Sequence, residues 1–521
     1  MTPTFCNRCG DAFEFNEDSG CDLKEELAEL DALLERLTLK RYDLKRKINR
    51  FYSPIVGQLP PDVMSTIFEF CLPDITDQFL SFSSYKPFTP LSLGAICSYW
   101  RDIAWSTPSL WSSLVVRDPS EYNMHIITGL AQEWLARSGR LPLSIRIIST
   151  FYNNTVTALA NIINQYSARW SDLDLDIPDC YFQCFNATDN HAPILKSIRF
   201  QRSTTSKKVN LRLTCPRLEK ATLSYFPLDG TNIQWDNLTH LALYTMSTID
   251  SFLILRKTPR LVFCEISSSS FYSRRILEGE IIIPVLTSLK SLCLSYGSST
   301  EDFLNNLIAP HLEDFSLRRY YPPSPIIEPE VVTSFLRRSV CSLRSLSMIF
   351  SIIPQYFEVF MNLLQSMPSL TTLSLLSITI FNKTNPEEYQ PRNILQLVAK
   401  VLSSQSTSLQ QGFLPNLKIL EYTGKLHLHS GNYDDLYPLP PANNAARGPL
   451  HLLKLDLYPA NRIPENMISY VSSLEERGVT VNVLSDSENI LQSSIDYYKC
   501  RKDSLYRPGD WSDNLDSSLL S

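Results

Sequence analysis

One phrase recurs along the last two-thirds of this chain, and it constrains the fold more than any other feature. It reads Pro-x-Leu-x-x-Leu-x-Leu, and it returns as "PILKSIRF", "PRLEKATLS", "DNLTHLALY", "PRLVFCEIS", "LTSLKSLCLS", "PHLEDFSLR", "SLRSLSMIF", "PSLTTLSLL", "PNLKILEYT" and "HLLKLDLYP". Alternating aliphatics at the end of each phrase read as a short strand. Between phrases lie amphipathic stretches, among them "TEDFLNNLIA", "EVVTSFLRRSV", "YFEVFMNLLQSM" and "RNILQLVAKVLSS", which read as returning helices. One such unit has too few inward aliphatics to fold alone. Stacked neighbours cover them, at roughly 1.5–3 kcal/mol per buried side chain. The expected result is a curved stack of parallel strands with helices outside and with Leu243, Leu294, Leu317 and Leu375 almost fully buried.

The phrase is the strand half of a leucine-rich repeat. Its spacing here is irregular, mostly 20–31 residues, with longer gaps around 376–412 and 423–448 and proline-rich insertions such as "YYPPSPIIEPE". Pro is frequent (33) and Gly scarce (15), so the turns rely on proline. A stack needs sealed ends. The helical block before residue 117 and the strand "LPLSIRI" are candidates for the first, and "ENMISYVSSLEERGVTVNV" for the last. The stretch 485–521 is polar and reads as a tail with at most one short helix.

At the other end, "CNRCG" sets Cys6 and Cys9 at the spacing of half a tetrahedral zinc site. No second pair follows, so a reduced tail over 1–20 is the expected reading. Zinc shared between two chains is the alternative, and Cys6 and Cys9 are its only weak metal candidates. His427 and His429, on one face of a strand in "KLHLHSG", are two possible metal ligands with no third nearby, too few for a site. Most of the twelve cysteines, such as Cys264 and Cys293, stand alone in apolar segments and read as small buried hydrophobes of a reducing compartment.

From Leu23, apolar residues recur at Leu27, Leu30, Leu34 and Leu37, then Leu44, Ile48 and Phe51, a heptad seam broken once by Arg41. The first half of this helix is acidic and the second basic, which complements a helix macrodipole. The seam over 21–53 must be buried against something; a parallel dimer and a hairpin onto the next domain are both open.

The block 56–116 holds three of the chain's seven tryptophans, Trp100, Trp105 and Trp111. Pro60 and Pro61 stand at a helix start, where a missing N–H costs nothing. Val63, Ile67 and Phe70 or Cys71 share one helical face, and Pro73 stops the helix. A second helix is expected from Pro90, with Leu93, Ile96, Cys97, Trp100 and Ala104 on one side. A unit this small is marginal alone, and large aromatic side chains compensate.

"LPPDVMSTIFEFCLP" followed by "LSLGAICSYWRDIAWSTPSLWSSL" resembles the F-box of the large basidiomycete (mushroom) family. The resemblance covers about Val56 to Val115; "EWLARSGRLPLSIRI" is also similar to the segment that follows this box in such proteins. Asp62 stands where Glu is usual and Tyr99 where a basic residue is common, and the inter-helix insertion is long. The resemblance implies docking to the Skp-type adaptor of a cullin-RING ubiquitin ligase through Leu59, Pro60 and Pro61 and the outer helix faces, with Ile67 and Cys97 at the boundary. It implies a box core around Trp100, with Trp105 and Trp111 joining it to the repeats.

The fold class expected is therefore an α+β to α/β solenoid: an N-terminal coiled-coil helix, a small all-α F-box, then an irregular leucine-rich-repeat-like horseshoe over 117–484. No GxxxxGK[ST], GxSxG, HExxH or GxGxxG occurs, and nothing reads as catalytic or cofactor-binding. The net charge of −6 gives no reason to expect a nucleic-acid or anionic-membrane partner. No apolar run reaches the ~18 residues of a span, and "MTPTFCNRCGDAFEF" lacks the basic-then-apolar pattern of a signal peptide. The reading is a cytoplasmic or nuclear interaction protein, not an enzyme. It would be the substrate-recognition subunit of a Skp-cullin-F-box ligase, its repeats holding an unknown protein substrate. The alternative is a repeat scaffold whose box no longer binds the adaptor. Arg199, Glu265, Ser316 and Asp456, set between strand leucines, are candidates to face a partner.

Overall fold

The structure is a computed structural model. It describes residues 4–5, 12–13, 17–52, 59–72, 89–187, 189, 191–202, 209–228, 230–267, 284–296, 300–319, 329–350, 354–377, 413–424, 450–457, 462–463, 465–476, 478–485 and 488–505. Cys6 and Cys9, Pro73, the helix expected in "RNILQLVAKVLSS", most of "YYPPSPIIEPE", His427 and His429 lie outside these. The chain divides into two compact units, Met1–Val115 with His125–Ser144, and Val116–Met124 with Ile145–Ser521.

The second unit is a mixed α/β array on a long, mostly parallel sheet. From Trp170–Ile177 through Ser197–Arg202, Lys220–Ser224, His240–Tyr244, Phe263–Ser267 and Ser291–Tyr296, each strand pairs in parallel with the next. The series continues through Asp314–Arg319, Ser345–Phe350, Thr372–Ser377, Ile419–Gly424, Leu452–Leu457 and Thr480–Ser485. Helices lie between successive strands at Thr248–Leu255, Thr300–Asn305, Pro329–Ser339, Pro354–Gln365 and Glu465–Glu476. The middle three of these coincide with amphipathic stretches singled out above. Leu243, Leu294, Leu317 and Leu375 are all buried, as the repeat pattern predicts.

The recurrent proline has a geometric reason. In the phrases beginning at Pro216, Pro259, Pro310, Pro368 and Pro415, the leucine two residues on donates its N–H to the carbonyl of the residue before the proline. Each is a four-residue turn with Pro at its second position, where a fixed φ near −65° is already correct. The chain then enters its strand by a shared carbonyl. Lys196 O accepts from both Glu219 N and Lys220 N, Glu219 O from Thr239 N and His240 N, and Lys290 O from Glu313 N and Asp314 N, at 2.8–3.0 Å. This staircase fixes the register, so that the inward leucines of successive strands fall in line.

The C-terminal end departs from the tail reading. Thr480–Ser485 pairs antiparallel with Glu488–Asn489, and a helix follows at Leu491–Leu505. Ile490 and Ser494 are buried, and Ser494 Oγ accepts from Ile463 N at 3.1 Å while donating to Ile490 O at 2.7 Å. The segment docks through few buried residues and is otherwise polar, so composition alone reads it as tail.

The first unit is helical: α1 (Glu17–Tyr52), α2 (Pro61–Cys71), α3 (Pro90–Ile96), α4 (Ser98–Ser106) and α5 (Met124–Arg137). The residue pairs Thr4–Phe5 and Ala12–Phe13 make a short antiparallel ladder. α1 is one continuous helix, four residues longer at its start than the heptad pattern indicates. The single helix expected from Pro90 is two. Cys97 is extended (φ −156°, ψ 169°) and its Sγ accepts from Trp100 N at 3.4 Å, so the cysteine ends α3 and caps α4. Residues 125–144, within the span expected for the repeat array, cluster instead with the helical unit, where Trp134 packs on Trp111.

Candidate docking surfaces

α2 begins where Pro60, extended at φ −60° and ψ 150°, hands over to Pro61 in the first helical turn. Met64 and Phe68, one turn apart, are buried. They meet Leu93, Ile103, Ala104, Leu110 and Trp111 in one core, with Leu59, Leu72, Tyr99, Trp100, Trp105 and Trp134 packed around it. Phe68 and Trp100 have ring centroids 4.9 Å apart. This packing sets the orientation of α2, which the helical spacing alone left open. Val63 and Ile67 are about 40% exposed and Phe70 is 87% exposed, so the stripe read as one helical face looks to solvent. The physical cause is the size of the partners: Phe68 and Met64 fill the space beside Trp100 and Trp111, and among the described residues nothing is left to cover the neighbouring stripe.

The tryptophans divide the work differently from the expectation. Trp111, not Trp100, is the fully buried one, at 1% exposure. Its indole N–H donates to Ala104 O at 2.7 Å. Trp105 and Trp134 meet its ring edge-on at 5.2 and 4.8 Å between centroids. The Arg137 guanidinium lies 5.1 Å from the Trp105 ring centre and 5.3 Å from that of Trp111, and pairs with Glu133 at 3.1 Å. Trp134 Nε1 donates to Ser113 O at 3.0 Å, tying α5 to the chain just after Trp111. Trp100 and Trp105 are half-buried.

Small polar groups hold the corners. Thr89 and Ser92 form a reciprocal capping box at the start of α3. Ser65 and Thr107 hydrogen-bond at 2.9 Å, and Thr107 Oγ1 donates to Ile103 O at 2.7 Å. Ser109 donates to Glu69. Arg101 Nε donates to Gly94 O at 2.8 Å. With the inner positions satisfied in this way, an apolar strip remains exposed among the polar outer residues of α2. Pro60 and Pro61 are exposed, Leu59 is half-buried, and Val63, Ile67 and Phe70 continue the apolar strip along α2. Ile96, at the end of α3, is also exposed, and Cys97 beside it is half-buried. Of Leu59, Pro60, Pro61, Ile67 and Cys97, the residues the resemblance implies for docking, Pro60, Pro61 and Ile67 are exposed and Leu59 and Cys97 half-buried; Phe70 and Ile96, not among them, are exposed as well.

The second unit offers the face of its sheet opposite the leucines. By register, one row runs Asp174, Arg199, Thr222, Ala242, Glu265, Cys293 and Ser316. Arg199, Glu265 and Ser316 therefore stand in line on one face. Asp456 lies in the adjoining row, opposite Thr423 and Leu376. At the first end of this face Asp174 sits 3.3 Å from Arg146 and 3.9 Å from Arg199. Burial raises the Asp174 carboxyl to about 6, against the opposing pull of the two guanidiniums. Further along, His240 and Phe263 stack at 6.0 Å between ring centroids.

Among the described residues there is no cluster of three or more metal-binding side chains, and no helix long and apolar enough to cross a membrane. Burial pushes the Cys215 thiol up to about 11 and that of Cys264 higher still, the opposite of what an activated nucleophile requires. Compared with the models of known protein families and with curated proteins, the chain matches none.

Proposed function

We propose that this chain is a substrate-recognition subunit of a Skp-cullin-F-box ubiquitin ligase and acts in the cytoplasm or nucleus. The observation that carries the reading is the uncovered apolar strip Leu59-Pro60-Pro61 with Val63, Ile67 and Phe70. It stands on a helical unit whose core is already filled from the other side by Met64, Phe68 and Trp111. An apolar strip on a closed core marks a protein partner, and the F-box resemblance names the adaptor as that partner. The long sheet, read as an irregular leucine-rich-repeat array, then presents its polar rows to a protein substrate. This chain supplies proximity: it holds the substrate near the transferring enzyme, so that an encounter between molecules becomes one within a complex.

Co-purification of the full chain with the Skp-type adaptor of its own organism tests this. Retention of the adaptor by wild type and its loss in Phe70→Asp supports the reading. Failure of wild type to retain the adaptor removes it and leaves a non-catalytic repeat scaffold.

A further inference from the structure

The leucine seam of α1 has no partner among the described residues. Leu23, Leu27, Leu30, Leu34 and Leu37 are each more than half exposed, as are Leu44 and Ile48. The helix approaches the rest of its unit from the other side. Arg46 Nε, which donates to Ser98 Oγ at 3.1 Å, projects about 170° away from the seam at 100° per residue. A solvated seam of this length is an interface awaiting its occupant.

Charge identifies the occupant and its direction. Between Leu23 and Leu37 the helix carries five acidic residues against two basic; between Thr38 and Arg50 it carries six basic against one acidic. We infer that α1 pairs with α1 of a second copy of this chain, in antiparallel orientation. A two-fold antiparallel pair lays each acidic half on a basic half. The apolar layers then match from end to end: Leu23 on the partner's Ile48, Leu27 on the partner's Leu44, Leu34 on the partner's Leu37. The one polar seam residue, Arg41, falls on the partner's Leu30, one residue from the partner's Asp31.

The parallel alternative fails on the same residues. It sets Arg41 against Arg41 in a shared layer, Glu26 beside Asp31, and Lys40 beside Lys45, each pair alike in sign. The antiparallel pair has one unfavourable flank, Lys24 near the partner's Lys45, close to its ends where water screens it. It gains Glu26 beside the partner's Lys47. A homodimer of this kind carries two boxes and two arrays in one assembly, and the inference does not depend on what the box binds.

Sedimentation of the full chain at tens of micromolar reads the stoichiometry, and a zero-length carbodiimide cross-link reads the direction. Glu26 and Lys47 are about 30 Å apart within one helix, too far to join in cis. A mixture of light and nitrogen-15 chains should yield Glu26–Lys47 linkages between chains, at twice the 59.5 kDa protomer mass. Leu30→Lys with Leu34→Lys should abolish both dimer and linkage, and Arg41→Leu should tighten the dimer at least tenfold. A wild-type monomer, or a dimer without the Glu26–Lys47 linkage, overturns the inference.

Discussion

Gly94 has no side chain because the ring of Trp105 stands in its place: a β-carbon built on Gly94 would lie 2.0 Å from Cζ3 of Trp105. The obstacle is a ring wedged against Trp111 and covered by Arg137, so it cannot swing aside cheaply. Gly94→Ala is therefore expected to destabilise the helical unit by about 1–3 kcal/mol, the usual range for forcing extra methyl groups into a packed core. Thermal melts followed by tryptophan fluorescence check it. Trp105→Leu in the Gly94→Ala background should recover part of the loss; if the double variant is no better than the single, the clash is not the cause.

Arg202 and Asp179 form a buried, two-point ion pair, with Nε to Oδ1 at 2.6 Å. Removing one partner leaves the other charge buried and uncompensated, at about 3–5 kcal/mol, whereas replacing both by apolar groups is often close to neutral. Asp179→Ala should lower the urea midpoint of the array sharply, and Asp179→Leu with Arg202→Met should return most of it. Equal losses in the two variants would mean that the pair itself, rather than the stranded charge, sets the energy.

The strand positions were legible because a period of two with a fixed Pro-x-Leu turn leaves little freedom. Pro310 and Leu312, or Pro368 and Leu370, mark where the turn closes and the strand begins. The orientation of α2 was not, because both of its stripes are apolar. Met64 and Phe68 win over Val63, Ile67 and Phe70 only through Trp100 and Trp111, more than 30 residues away, and nothing local encodes that. The break between α3 and α4 was hidden for another reason: Cys97 caps α4 through sulfur, and cysteine is not among the residues by which a helix start is recognised. The helix Leu491–Leu505 was masked by its composition, since a few buried contacts such as Ile490 and Ser494 suffice to dock an otherwise polar segment.

The Asp174 carboxyl gives the array a pH dependence of definite sign. Its folded value is about 6 against an ordinary 3.8, with burial the largest cause. Between those values the folded chain holds a proton that the unfolded chain has lost, so this group's contribution to stability falls as pH rises. The fall begins near pH 4 and is complete above about 6, and two units correspond to about 3 kcal/mol at most. Asp174→Asn, which stays neutral, should therefore gain on wild type between pH 4 and 7. Urea midpoints of the two proteins across that range measure it; parallel curves would show that Asp174 titrates as it does in water.

Phe70 and Trp111 separate binding from folding in the helical unit. Phe70 is 87% exposed and Trp111 is 1% exposed, so the two aromatics differ in what their removal empties. Truncating Phe70 to Ala takes apolar area from the surface and should change the melting temperature little, since exposed truncations usually lie within about 0.5 kcal/mol. If the strip Leu59-Pro60-Pro61-Val63-Ile67-Phe70 is the docking surface, the same change removes its one aromatic contact. A loss of tenfold or more in adaptor affinity follows, since a buried interface aromatic commonly costs above about 2 kcal/mol. Trp111→Ala instead opens a hole between Trp105, Trp134 and Leu110 and strands the acceptor at Ala104 O. It should cost about 3–5 kcal/mol, unfold the unit, and lose binding and structure together. Binding isotherms with purified adaptor, set beside melts of the same preparations, distinguish the two classes. A folded Phe70→Ala protein that binds as tightly as wild type would place the adaptor elsewhere on the unit. A stable Trp111→Ala protein would mean that the core is held by Phe68 and Trp100 rather than by the buried indole.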